Sequence, residues 1–280
     1  MKFPRYGRLE LLEIIEEPLP APEAGQVLVR VEATGLNPAP RFLAGQGTDF
    51  AGVVESVGSA VTLWHAGDEV LGHTLHGSHS DHVQVSQGDI IRKPDELSWE
   101  VAGSLYIPAV SAWDAVQFAR PRAGGTALVH AAGGAVGAIA AQLALLSGAT
   151  VIGTGRPESF DHLRDLGVIP VTAGPGLQGR VAQVAPQGID AEIDPLVDAA
   201  MTSEPWTNWA TVATMADLVA THQIVVPVVA VYPLDEVRDA YRERQEGEAE
   251  GMIVLRTDAG RRAHGVPRHR AAGRDYSPAE

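Results

Sequence analysis

The stretch Leu128-Val129-His130-Ala131-Ala132-Gly133-Gly134-Ala135-Val136-Gly137 decides the fold. Before it, residues 126–130 read as a strand. After it, residues 136–146 hold no charge and read as a buried helix. Ala131, Gly134 and Gly137 stand at the i, i+3, i+6 spacing of a turn that seats a dinucleotide, with Ala in the first place. A small residue at 131 allows a tight turn. Gly134 lets a pyrophosphate approach the backbone, and Gly137 lets the helix pack close. The N–H groups of Ala135, Val136 and Gly137 open the helix, where the positive end of its dipole favours phosphate.

Working outward, residues 150–153 form a second strand one βαβ step later. It runs into Gly153-Thr154-Gly155-Arg156. An acid there would favour the 2′-hydroxyl of NAD. The first charged residue is Arg156, whose guanidinium suits a 2′-phosphate and so NADPH. Thr154 and Ser159 are candidate donors beside it. Helices at 159–166 and 179–184 alternate with strands at 168–171 and 191–193, the rhythm of a parallel sheet. A helix at 211–221, a strand at 224–231, a helix at 234–245 and a strand at 252–255 follow.

The first hundred residues differ. Short strands are predicted at 9–15, 27–33, 50–57, 69–71 and 82–85, divided by Pro, Gly and Asn. This is the pattern of a compact β domain. Ser98 reads as the N-cap of a helix, and a further helix is predicted at 111–118. From Arg256 onward there are six arginines against three acids and no apolar period, so the tail is expected to be disordered.

Composition narrows the functions. The 280 residues carry a formal net charge of −14, with 35 acids against 21 Lys plus Arg. That argues against nucleic acid as the main partner. No cysteine is present, which excludes a disulfide scaffold, a Cys-ligated zinc, an iron–sulfur cluster and a thiol nucleophile. Residues 1–20 lack the apolar core of a signal peptide, and 127–155 reads as strand, turn and helix rather than a membrane span. The expectation is a cytoplasmic protein with no membrane partner. His73, His76, His79 and His82 recur every third residue, but this spacing in a Gly/Ser loop fixes no tetrahedral geometry, so no metal site is assigned. Asp114 near Ser111 is set aside as a hydrolase constellation, because no Gly-x-Ser-x-Gly occurs. Trp206 and Trp209 read as surface patches rather than ligand stacks.

Taken with the N-terminal half, the chain resembles a medium-chain dehydrogenase/reductase, most of all the zinc-free quinone oxidoreductase branch. The resemblance rests on Gln26-Val27-Leu28-Val29-Arg30-Val31 with Gly35-Leu36-Asn37-Pro38, and on Gly47-Thr48-Asp49-Phe50-Ala51-Gly52-Val53-Val54 with Val57-Gly58 and Gly67-Asp68-Glu69-Val70. It continues in Ser111-Ala112-Trp113-Asp114-Ala115, Leu166-Gly167-Val168, Tyr232-Pro233-Leu234 and Gly251-Met252-Ile253-Val254-Leu255. The resemblance implies an α/β protein: a β-rich GroES-like catalytic domain plus a Rossmann-type parallel sheet domain of reduced strand number. The catalytic part would take 1–115, completed by 232–255. The dinucleotide-binding part would take 116–231, and 256–280 would be the tail. It also implies NADPH in the cleft and hydride transfer to a quinone or enone.

Cofactor-binding candidates are therefore Ala131, Gly134, Ala135, Val136, Gly137, Thr154 and Arg156. Asn37 and Ser111 are the candidates for orienting nicotinamide or substrate. Asn37 also has a plain reading as turn chemistry before Pro38. No side chain stands out as proton donor, which leaves water. The partner is a small-molecule substrate. Relatives pair through the Rossmann sheet edge, so a homodimer, a monomer and a new interface all stay open.

The chain departs from the family at three places. The loop between Pro38 and Gly47 is short and has Pro40 where an Asp is usual. After Asp194 the Gly-rich turn, helix and two strands that flank the nicotinamide are missing. Met252 follows the late glycine where Lys is frequent. These departures open two alternatives: a redox-inactive cyclase, isomerase or dehydratase, and a non-catalytic NADPH-binding module.

Overall fold

The computed structural model describes residues 9, 12–37, 46–195, 209–247 and 250–257. Among these described residues five strands come first: β1 (Gln26–Gly35), β2 (Asp49–Val57), β3 (Glu69–His73), β4 (His82–Ser86) and β5 (Ile90–Arg92). Ser98 caps α1 (Trp99–Ala102), its side chain accepting the Val101 N–H. Next is α2 (Tyr106–Ala119), followed by β6 (Thr126–Val129), α3 (Ala135–Leu146), β7 (Thr150–Gly155), α4 (Phe160–Asp165), β8 (Ile169–Thr172), α5 (Leu177–Val184) and β9 (Ala191–Ile193). The last elements are α6 (Trp209–Ala220), β10 (Val228–Pro233), α7 (Val237–Glu246) and β11 (Met252–Arg256).

Two sheets result. A seven-stranded sheet runs β10-β11-β1-β2-β3-β5, with β4 on β1. β1 is long enough to serve three partners. β2 lines one edge, and the other edge is shared by β4 over residues 26–30 and β11 over 33–35. The strand that closes the described chain thus pairs with the strand that opens the sheet. Arg256 fastens it by reaching Glu100 at 2.7 Å and Glu32 at 3.7 Å, all but Glu100 almost fully buried. The second sheet is four-stranded and wholly parallel, in the order β8-β7-β6-β9. One apolar core joins the sheets, running from Ala33, Ala51 and Leu71 through α2 and α3 to Val129 and Val151.

Four expectations need correction. The pattern at residues 9–15 predicts a strand, yet among their described members only Glu13 carries a bridge. Leu9 and Leu12 instead pack with Leu36, Val237 and Leu255, so the apolar spacing serves burial rather than a ladder. The strand expected at 224–231 lies at β10, four residues later. Gln142 on α3 clasps Val225, donating to its carbonyl at 2.9 Å and accepting its N–H at 2.7 Å. The backbone of Val225 is therefore satisfied by a side chain, while Ile224 and Val226 still fill the core. The helix expected at 111–118 starts earlier, at Tyr106, because Pro108 falls in its first turn, where a missing N–H costs nothing. The tail expected from Arg256 is displaced too: Arg256 ends β11 and it and Thr257 are buried, held by the pairing with β1, while residues 258–280 lie outside the described residues.

Candidate dinucleotide site

The strand order reverses between β6 and β9, with β7 and β8 to one side of β6 and β9 to the other. In an open parallel sheet this point leaves a crevice beyond the carboxyl ends of the strands, where ligands bind. The glycine turn stands at that place.

The turn is stitched to β7 by Thr154. The Ala131 N–H donates to Thr154 Oγ1 at 2.9 Å, and the Ala132 N–H donates to the Thr154 carbonyl at 2.7 Å. Ala131 adopts φ 49°, a left-handed conformation that costs a residue with a Cβ roughly 1 kcal/mol. Gly134 is the N-cap of α3 at φ −82° and supplies no side-chain cap. The N–H groups of Ala135, Val136 and Gly137 lie in the first turn, before any intrahelical carbonyl can reach them. A Cβ at Gly137 would run into the Ala131 carbonyl, whereas one at Gly134 meets only that same oxygen, at 3.3 Å. Gly137 is thus required by the fold, and Gly134 leaves space that the fold does not use.

Thr154 is buried, at 2 % exposure. Its hydroxyl holds the turn, so its reading as an outward donor is replaced by a fastening role. Ser159 likewise turns inward and donates to the Arg156 carbonyl at 2.9 Å. Arg156 itself is half-exposed, and its Nε donates to Glu250 Oε1 at 2.8 Å.

A second polar cluster lies in the β-rich half. Asn37 donates through Nδ2 to Thr48 Oγ1 at 3.2 Å, and Thr48 donates onward to Asp49 Oδ1 at 3.1 Å. Asn37 Oδ1 is a buried acceptor with no hydrogen-bond partner among the described residues. Asp49 Oδ2 accepts the Ile107 N–H at 2.9 Å. Ser111 sits four residues beyond Ile107, one turn along the same face of α2, and is half-buried. The structure therefore gathers Asn37, Thr48 and Asp49 at the N-terminal end of α2, with Ser111 one turn further along that helix. Burial pushes the Asp49 carboxyl up to about 7, although hydrogen bonds from Ile107, Asn37 and Thr48 oppose this. His73 stacks on Tyr106 with ring centroids 4.6 Å apart, and burial pulls His73 down to about 4. Burial, aided by the Asp49 and Asp89 charges, pushes Tyr106 up to about 12. Trp209 packs on Tyr106 at 4.9 Å, as a core contact. Trp206 lies outside the described residues.

The four spaced histidines diverge. His79 is buried against the Gly35 carbonyl and is pulled down to about 4 by burial. His82 meets Glu55 at 2.9 Å, and His76 is exposed. Among the described residues no group of three or more His, Asp or Glu could hold a metal ion. A shallow groove of about 590 Å³, lined by Leu19, Pro22, Glu55 and Val57 among others, shares no residue with either polar cluster.

Two residues escaped the sequence reading. Asp49 was visible only as part of a motif, and its burial needed the fold. Glu250 had no local signal, because its partner Arg156 is 94 residues away.

Comparison with known proteins agrees with this architecture. The alcohol dehydrogenase GroES-like domain family matches residues 23–95. The quinone oxidoreductase of Mus musculus is 32% identical over 173 residues, 56% of this chain and 52% of the relative. That of Lama guanicoe is 28% identical over 207 residues, 64% of this chain and 63% of the relative. The chain thus spans about half to under two thirds of the length of these relatives. The solved quinone oxidoreductase of Coxiella burnetii superposes with a TM-score of 0.75 at 24% identity, covering 91% of this chain and 98% of that one. Together these similarities support a quinone oxidoreductase-like member of the medium-chain dehydrogenase/reductase superfamily, with residues 23–95 matching the GroES-like domain. No helix among the described residues is long and apolar enough to cross a membrane.

Proposed function

We propose that the chain is an oxidoreductase that binds NADPH at the turn between β6 and α3 and reduces a quinone or enone-type small molecule. The observation that carries this reading is the uncapped N-terminus of α3 at the strand-order reversal, with Arg156 at the end of the neighbouring strand. The residues fit the group. Gly134 leaves room for a phosphate, and the first-turn N–H groups of α3 are donors in want of an acceptor. When bound, NADPH supplies the hydride. Ala131, Gly134, Ala135, Val136 and Gly137 hold its pyrophosphate, Thr154 keeps the turn in shape, and Arg156 faces the 2′-phosphate. Asn37 Oδ1, a buried acceptor without a donor, and Ser111 orient nicotinamide or substrate, and water supplies the proton. The split into a catalytic β part (1–115 with 232–255) and a dinucleotide part (116–231) belongs to the same proposal. So do a cytoplasmic location, a small-molecule rather than nucleic-acid or membrane partner, and a homodimer.

Titration of the purified chain into NADPH, followed by nicotinamide fluorescence with NADH as control, tests the binding. NADPH consumption with a quinone panel tests the chemistry. Tight NADPH binding with enhanced emission and turnover is expected, and absence of binding removes the proposal.

One observation favours a second reading. Among the described residues the parallel sheet stops at β9, leaving little wall for a nicotinamide. A redox-inactive cyclase, isomerase or dehydratase, or a non-catalytic NADPH-binding module, would then show binding by calorimetry with no emission change and no NADPH consumption.

A further inference from the structure

Glu250 comes from the connection between α7 and β11, yet its side chain lies on the glycine turn. Its Oε1 accepts from Arg156 Nε at 2.8 Å. Its Oε2 is buried and has no hydrogen-bond partner among the described residues. A Cβ built on Gly133 would come within 2.5 Å of that oxygen and 2.8 Å of Ser159 Oγ, so the carboxylate rests against the turn itself. The base of the connection is anchored, because Arg244 donates to the Gly251 carbonyl at 2.9 Å.

We infer that Glu250 is a specificity-determining residue, a resident carboxylate that holds Arg156 and the glycine turn and weakens the site for a 2′-phosphate. The inference rests on the dinucleotide reading of the turn. The position explains why an acid is stable there. A guanidinium and the positive end of α3 both favour a negative charge, and the carboxylate takes the place an anionic ligand would occupy. A 2′-phosphate that reaches Arg156 brings like charge against Glu250 and must displace it. A 2′-hydroxyl brings no charge and meets no such repulsion. The pair is displaceable, since the Arg156 side chain is 47% exposed and that of Glu250 23%, and ion pairs open to water hold weakly.

The test is calorimetric titration of the full chain and of Glu250→Gln with NADPH and with NADH, alongside thermal melting to show that both proteins are folded. Glu250→Gln keeps the shape and removes the charge. NADPH is expected to bind about fivefold tighter to the variant, a gain that shrinks as salt is raised, while the NADH affinity stays within about twofold. An unchanged or weaker NADPH affinity overturns the inference and leaves the dinucleotide site standing. Loss of NADH affinity overturns it as well, because the carboxylate is then an acceptor for the ribose hydroxyls. If neither protein binds either dinucleotide, the proposed function falls and this inference falls with it.

Discussion

The two polar regions of the molecule are built on opposite principles. At the turn between β6 and α3 the donors left open are backbone N–H groups, and the Thr154 side chain holds the backbone. In the β-rich half, side chains supply the polar groups, and Asn37, Thr48 and Asp49 form a part-buried chain of hydrogen bonds that leaves Asn37 Oδ1 open. Backbone groups are present whatever the residue, so the turn is specified by what is missing: a Cβ at 134 and at 137. The second region is specified by what is present, and each member's chemistry depends on burial. The contrast teaches that the first region depends on the space its backbone leaves open, and the second on the burial of its side chains.

Four measurements bear on that contrast. Asp49→Asn has the largest expected effect. The carboxyl is raised from 3.8 to about 7 in the folded chain, so the folded state holds its proton more tightly than the unfolded state. The stability due to that proton is full below about pH 4 and is lost as pH rises to 7. His73 and His79 are lowered from 6.5 to about 4. Their contribution runs the other way, lost as pH falls from 6.5 to 4. Two histidines outweigh one carboxyl, and the wild-type chain gains stability with pH between about 4 and 6.5. Asp49→Asn steepens that gain, and its stability relative to wild type rises by a few kcal/mol between pH 4.5 and 8, at about 1.4 kcal/mol per pKa unit. Urea melts at pH 4.5, 6 and 8 check this, and a difference from wild type that does not vary with pH breaks the account of the second region.

Gly134→Val comes next. A Cβ there meets only the Ala131 carbonyl, at 3.3 Å, and asks that oxygen to give by a few tenths of an ångström, so the melting temperature is expected to fall by no more than about 4 °C, about 1 kcal/mol in a chain of this size. NADPH affinity should nevertheless drop at least ~100-fold, about 2.7 kcal/mol. Retained affinity would place the ligand elsewhere. Asn37→Ala loses the bond to Thr48 but also removes a buried acceptor that has no partner, so its stability should change by about 1 kcal/mol or less. Quinone turnover should fall while NADPH affinity holds, and an unchanged turnover would reduce Asn37 to turn chemistry. The smallest effect is Ala131→Gly. Glycine relieves the left-handed strain at φ 49° but loosens the unfolded chain, and a net gain of up to ~1 kcal/mol is expected in chemical denaturation.

Much of the parallel sheet was legible residue by residue. β9 matches its expected span, and β6, β7 and β8 match within a few residues, because a strand buried on both faces reads as a short apolar run between turn signals. The glycine spacing was legible for the same local reason. Less was legible in the β-rich half. β5 has three residues, too few to show alternation, and Leu9 and Leu12 imitate a strand while serving as core.

Local geometry carries across only a few residues, and what the sequence determined by itself stays within that reach: the strand–turn–helix at 126–146, the small residues at 131, 134 and 137, and the Ser98 cap. Tertiary structure alone decided the rest. It set Glu250 on Arg156 across 94 positions, joined Gln142 to Val225 across 83, and buried Asp49 until its carboxyl titrates near neutrality. Such contacts arise when distant elements exclude water together. Charge, burial and partner are then properties of the assembled surroundings and not of the residue.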